Sequence, residues 1–138
     1  MNHWIIAPVL IPALAGMLLL LEVRERHRLR RITGLLSCAA MLATALFLGD
    51  QAWGGEITVY ALGNWQAPFG IVLVLDKFSA LMLLLTAVLA FPALLYACCG
   101  DDRRGANFHA LFQFQLMGVN GAFLTGDLFN LFVFFEVL

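Results

Sequence analysis

Long apolar runs separated by short polar breaks dominate the chain. Their lengths predict an all-α polytopic membrane protein with about five transmembrane helices, over residues 4–21, 32–48, 78–99, 106–124 and 127–138. Residues 1–138 read as part of one transmembrane domain, with no internal repeat or linker. The first run has 18 residues, just enough to cross a bilayer. Pro8 and Pro12 lie in its outer half, where proline interrupts the helical ladder and frees carbonyls that neighbouring helices must cover. The second run is rich in small residues, among them Gly34, Ser37, Ala39 and Ala43, that permit close helix contact. Between Gly49 and Leu75 the chain is too polar and glycine-rich to span. Two short β-prone runs there, 57–62 and 71–75, allow a small outer β-hairpin between the second and third helices. Pro92 is expected to kink the inner end of the third run. After the fourth, a tight turn at Thr125 and Gly126 leads into the fifth, with Asp127 placed as its N-cap.

Charge orients these spans. The seven arginines fall in two clusters between apolar runs: Arg24, Arg26, Arg28, Arg30 and Arg31, then Arg103 and Arg104. By the positive-inside rule loops 22–31 and 100–105 are cytoplasmic, and the N-terminus lies outside. Residues 49–75, without Lys or Arg, suit an outer loop. No basic region precedes the first run, so it reads as a retained helix and not a signal peptide. At 62% hydrophobic and 12% charged, the chain departs from the soluble balance of about 25% charged residues. A net charge of −1 with no basic–aromatic interleaving argues against nucleic-acid binding. Cys38, Cys98 and Cys99 show no ligand spacing, so neither a disulfide framework nor a zinc site is indicated. There is no glycine-rich nucleotide turn, no cysteine set for an iron–sulfur cluster, and no facing histidine pair for haem, since His3 lies outside and His27 in a loop. No metal or cofactor is expected.

Candidate chemistry rests on polar groups inside apolar helices. Glu136 stands in the fifth run, nine residues after Asp127, a helix rise of about 13.5 Å that sets it near the midplane of a hydrocarbon core of about 30 Å. An acidic residue there costs roughly 2.5 to 3.5 kcal/mol on an insertion scale, so it is compensated or protonated. Phe129, Phe132 and Glu136 share a face, an aromatic wall expected to exclude water and make the carboxyl a switchable proton carrier. Lys77, the one lysine, lies at the outer end of the third span and cannot pair with it. On the fourth run His109, Gln113 and Asn120 fall within about 40° of one another and form a polar stripe, with Gln115 off it. Two readings stand: hydrogen bonding between packed helices, or the lining of a proton path. Asp127 is about half a turn round the helix from Glu136 and serves either as a cap or as an outer-face proton exit.

The segment NGAFLTGDLFNLFVFFEVL, preceded by FHALFQFQLMGVN, resembles the fourth and fifth transmembrane helices of the antiporter-like subunits shared by Mrp-type multisubunit Na⁺(K⁺)/H⁺ antiporters and respiratory complex I. The likeness is strongest to the D subunit of the Mrp antiporters and extends over the chain, weakest at 49–75. It implies a protein of about fourteen helices in the bacterial inner membrane, working with the other Mrp subunits, transporting protons and Na⁺ or K⁺, and having no redox site of its own. It also implies that Glu136 matches a family glutamate paired with a lysine on a broken seventh helix. The twelve residues from Asp127 to Leu138 make about 18 Å of helix, too short to cross, so the chain is expected to be the N-terminal part of a longer polytopic protein or a truncated product of one. The alternatives are a proton-pumping subunit of complex I or of a membrane-bound hydrogenase, and an inactive structural remnant.

Overall fold

The computed structural model describes residues 3–22, 26–55, 57–65, 70–105 and 107–138. Among them are five α-helices, α1 Ala7–Leu21, α2 His27–Trp53, α3 Lys77–Ala97, α4 Phe108–Leu124 and α5 Leu128–Val137, with a two-stranded antiparallel sheet between α2 and α3. Arg24 and Ala106, used above to place a charge cluster and a helix start, lie outside the described residues.

A 3-10 turn, His3–Ile6, leads into α1 and forms with it an apolar span. Pro8 falls in the first turn, where a missing N–H costs nothing, but Pro12 is interior. α2 differs most from expectation. It starts five residues before the apolar run and ends five after it; at 27 residues it is about 40 Å long, more than the hydrocarbon thickness. Hydropathy marks only the part of a helix that lies in lipid. The arginines of its first turns and Asp50 and Gln51 of its last continue the helix beyond the apolar run at both ends.

α3 begins with a capping box. The Asp76 carboxylate accepts from the Ser79 N–H at 2.7 Å, and Ser79 Oγ accepts from the Asp76 N–H at 2.9 Å. α1 packs chiefly on α4, α2 on α3, and α5 on α4. Gly121 makes that last contact possible, because a Cβ there would stand 2.2 Å from the Phe134 ring. His3–Leu21, α2 and α3 are each long and apolar enough to cross a membrane. Leu18, Leu36, Leu89, Leu111 and Phe132 point outward from the bundle, the surface of a multi-pass membrane protein.

The hairpin is present as β1 Thr58–Ala61 and β2 Val72–Leu75, in the register Thr58↔Leu75 to Ala61↔Val72. Tyr60, Leu73 and Leu75 turn into the core. The far edge of β2 is also paired: Leu73 bridges Thr125, and the Gly126 N–H donates to the Val72 carbonyl at 2.9 Å. The hairpin thus holds the α4–α5 turn at the end of the bundle remote from the arginines.

Candidate functional site

The stripe on α4 is buried along its length, with His109 5% exposed and Gln113 and Asn120 fully enclosed. Each side chain is held by a different neighbour. Asn120 Nδ2 donates to the Pro8 carbonyl at 2.8 Å and approaches Met41 Sδ at 2.9 Å. The Pro8 carbonyl is the acceptor that Pro12, lacking an N–H, leaves without its helical donor, so α4 covers the gap that proline opens in α1. Gln113 accepts from Ser37 Oγ at 2.8 Å and donates to the Gly34 carbonyl at 3.2 Å, joining α4 to α2.

His109 belongs to a charged cluster at the arginine-rich end. Its Nε2 lies 3.2 Å from Asp102 Oδ2, and Arg31 grips both Asp102 oxygens through Nε at 2.6 Å and Nη2 at 2.7 Å. Asp102 is buried, and the hydrogen bonds from Arg31 hold its carboxyl down to about 2 against the opposing effect of burial. An anionic Asp102 fixes the imidazole with Nε2–H toward it, leaving Nδ1 facing α2. There a Cβ on Gly34 would stand 3.3 Å from Nδ1, so the glycine gives the ring its room. Among the described residues, His109 Nδ1 and Asn120 Oδ1 have no hydrogen-bond partner.

α5 is positioned by its other face. Asp127 caps it, accepting from the Phe129 N–H at 3.1 Å and from Asn130 Nδ2 at 3.2 Å. Phe134 and Leu138 seat against Gly121 and Gly118 of α4, which sets Glu136 at the depth of Gly118, between Gln113 and Asn120. The face shared by Phe129, Phe132 and Glu136 points away from α4 and is open, with the two rings 71% and 62% exposed. The aromatic wall therefore does not enclose the carboxylate within these residues, because no described element packs on that side. Glu136 makes no hydrogen bond or ion pair among the described residues and touches none of the stripe's bonding partners.

Asp102 carried no role in the sequence pattern, and Ser37 read only as a small residue. The signal for the first was an acidic pair directly before the second arginine cluster, seven residues ahead of a histidine at the start of an apolar run. The fold also brings Cys98 to Asp102 and His109, where cysteine spacing by itself indicated no site: one ligand atom from each lies within 4.8 Å of the others. His3 meets Tyr60 at 3.1 Å at the opposite end, and His27 is exposed at the start of α2.

No family model matches the chain. It is 44% identical over its whole length to the D subunit of the Na⁺/H⁺ antiporter of Alkalihalophilus pseudofirmus, covering 28% of that protein. To the D subunit of a probable K⁺/H⁺ antiporter of Rhizobium meliloti it is 47% identical, again over the whole chain and 26% of the relative. Among solved structures, a chain of the Mrp complex from Dietzia sp. superposes with a TM-score of 0.90 at 33% identity, over 99% of this chain and 26% of that one. The chain spans about a quarter of the length of the curated relatives it matches.

Proposed function

Since the chain belongs to the D-subunit family of Mrp-type multisubunit cation/proton antiporters, matching its N-terminal part, we propose that it serves transmembrane proton translocation coupled to Na⁺ or K⁺, with Glu136 as the protonatable group. The observation that supports this reading is the setting of Glu136: a carboxylate in the last turn of the apolar helix α5, on a face that no described element covers and unpaired among the described residues. An acidic side chain facing hydrocarbon costs roughly 2.5 to 3.5 kcal/mol. In the working protein that face is covered by further helices, and the lysine that the resemblance implies supplies the cation. Glu136 then alternates between a charged, paired state and a neutral one, the property of a proton carrier in a low-dielectric site.

The stripe flanks this path. Gln113 and Asn120 use most of their hydrogen-bonding capacity to join helices, so their part is to hold α4 against α1 and α2. Asn120 Oδ1 and His109 Nδ1 are the atoms left to meet a hydrated path. His109, at the arginine-rich end, is the relay residue of the set. Asp127, already engaged as a cap, marks the outer end.

In this reading the arginine-rich end, with the segment 22–31 and the connection 100–105, faces the cytoplasm of a bacterial cell. The protein works in the inner membrane with the other antiporter subunits. The test is Glu136→Gln in the full-length protein within its complex, assayed as Na⁺- or K⁺-dependent proton flux in everted vesicles. Flux is expected to fall at least about tenfold, as for loss of a group that moves a proton. Flux near the wild-type rate removes Glu136 from the mechanism.

A further inference from the structure

Three side chains with different ligand chemistry converge where α3 passes into α4. Cys98 caps α3, Asp102 lies in the 3-10 turn Asp101–Arg103, and His109 is in the first turn of α4. We propose that Cys98, Asp102 and His109 form a binding site for a divalent transition metal, Zn²⁺ in the first instance, that pins the α3–α4 connection.

Three observations carry it. One atom from each residue, a thiol sulfur, a carboxylate oxygen and an imidazole nitrogen, lies within 4.8 Å of the other two. A tetrahedron with zinc bonds of about 2.0 to 2.3 Å has edges of about 3.3 to 3.7 Å. The 3.2 Å between His109 Nε2 and Asp102 Oδ2 already has that length, and the sulfur closes the figure by a shift of about 1 Å or less. Second, Asp102 and His109 are 4% and 5% exposed, so two ligands are held in place before any ion arrives. Third, Arg31 binds both Asp102 oxygens and fixes the plane of the carboxylate, as outer partners do at metal centres.

The mixed sulfur, nitrogen and oxygen set selects the ion. Mg²⁺ and Ca²⁺ take oxygen ligands in larger numbers, whereas zinc accepts all three donors at four-coordination. Three protein ligands leave a fourth position for water. On binding, the Cys98 thiol gives up its proton to solvent, and the metal takes the place of the hydrogen bond between His109 Nε2 and Asp102. The ring proton then resides on Nδ1. With thiolate and carboxylate opposed by Arg31 and a divalent ion, the site carries a net charge of about +1.

The test uses the full-length protein purified with its partner subunits, and Co²⁺ as a coloured stand-in for Zn²⁺. The wild-type complex is expected to show a thiolate-to-cobalt absorption band that Zn²⁺ bleaches. Cys98→Ser should abolish the band and weaken Zn²⁺ binding by about 100-fold or more, because even outer partners are worth about 10- to 100-fold. Cys99→Ser should leave both unchanged. His109→Gln should weaken binding while Cys98 remains present. Metal-free Cys98→Ser complex is expected to retain cation-dependent proton flux, which shows the fold intact. The proposal is overturned if no thiolate band appears in the wild-type complex, or if the band persists in Cys98→Ser.

Discussion

Pro12 leaves the carbonyl of Pro8 without its helical donor, and Asn120 takes the vacant place from another helix. This exchange explains how two residues poorly suited to an apolar helix coexist: each answers the other's unmet hydrogen bond. Asn120→Leu should then destabilise the full-length protein by about 1 to 2 kcal/mol, the cost of an abandoned buried carbonyl moderated by membrane surroundings. A lowered thermal unfolding midpoint in detergent checks it. Gly121 meets a steric demand. A Cβ would stand 2.2 Å from the Phe134 ring, so Gly121→Ala should loosen α5 from α4 at a cost of about 1 to 3 kcal/mol. Phe134→Leu in the same background should recover part of the loss in the same unfolding assay. The stripe was legible in the sequence because His109, Gln113 and Asn120 share one helical face at 100° per residue. Their partners were not, since a backbone carbonyl freed by Pro12, a serine among small residues and an aspartate in a turn carry no periodic signal. Arg31 and Asp102 are 71 residues apart in the chain and are paired only by the packing of α2 against the α3–α4 connection.

Among the elements, α3 owes its start to a local signal, Asp76 and Ser79 closing a reciprocal capping box. The backbone N–H of Ser79 holds the Asp76 carboxyl below its ordinary value of 3.8. A carboxyl whose pKa is lowered on folding contributes stability that is full above the unfolded value and lost as pH falls through the folded one. Asp76→Ala should therefore cost about 1 kcal/mol at neutral pH. Comparing wild type with the variant by hydrogen exchange of the first turn of α3 should show the difference shrinking below the ordinary carboxylate range. A pH-independent difference would assign the effect to something other than the charged cap. The apolar cores of the spans were legible from run length, and the hairpin from two β-prone runs. The length of α2 was not, because arginines outside the hydrocarbon read as loop in a hydropathy pattern while propagating a helix well. Nor was the pairing of β2 with Thr125 and Gly126, which depends on α4 returning the chain to the hairpin.

At the scale of the molecule the parts divide into two ends. The hairpin and the α4–α5 turn lock one end of the bundle, and the Arg31–Asp102–His109 cluster ties α2, α4 and their connections at the other. Between them Glu136 stands on a face that no described element covers. The proposed orientation is testable by cysteine labelling of the full-length complex: Arg104→Cys should react with an impermeant maleimide only in everted vesicles, and Val59→Cys only in right-side-out ones. The reverse pattern would turn the protein over and move His109 to the outer surface. The central claim, that Glu136 gains and loses a proton during transport, is tested most directly by infrared difference spectroscopy of the complex as the cation gradient is applied. A protonated-carboxyl stretch should change with the gradient and be absent from the Glu136→Gln protein. A signal that survives unchanged in that variant would contradict the claim.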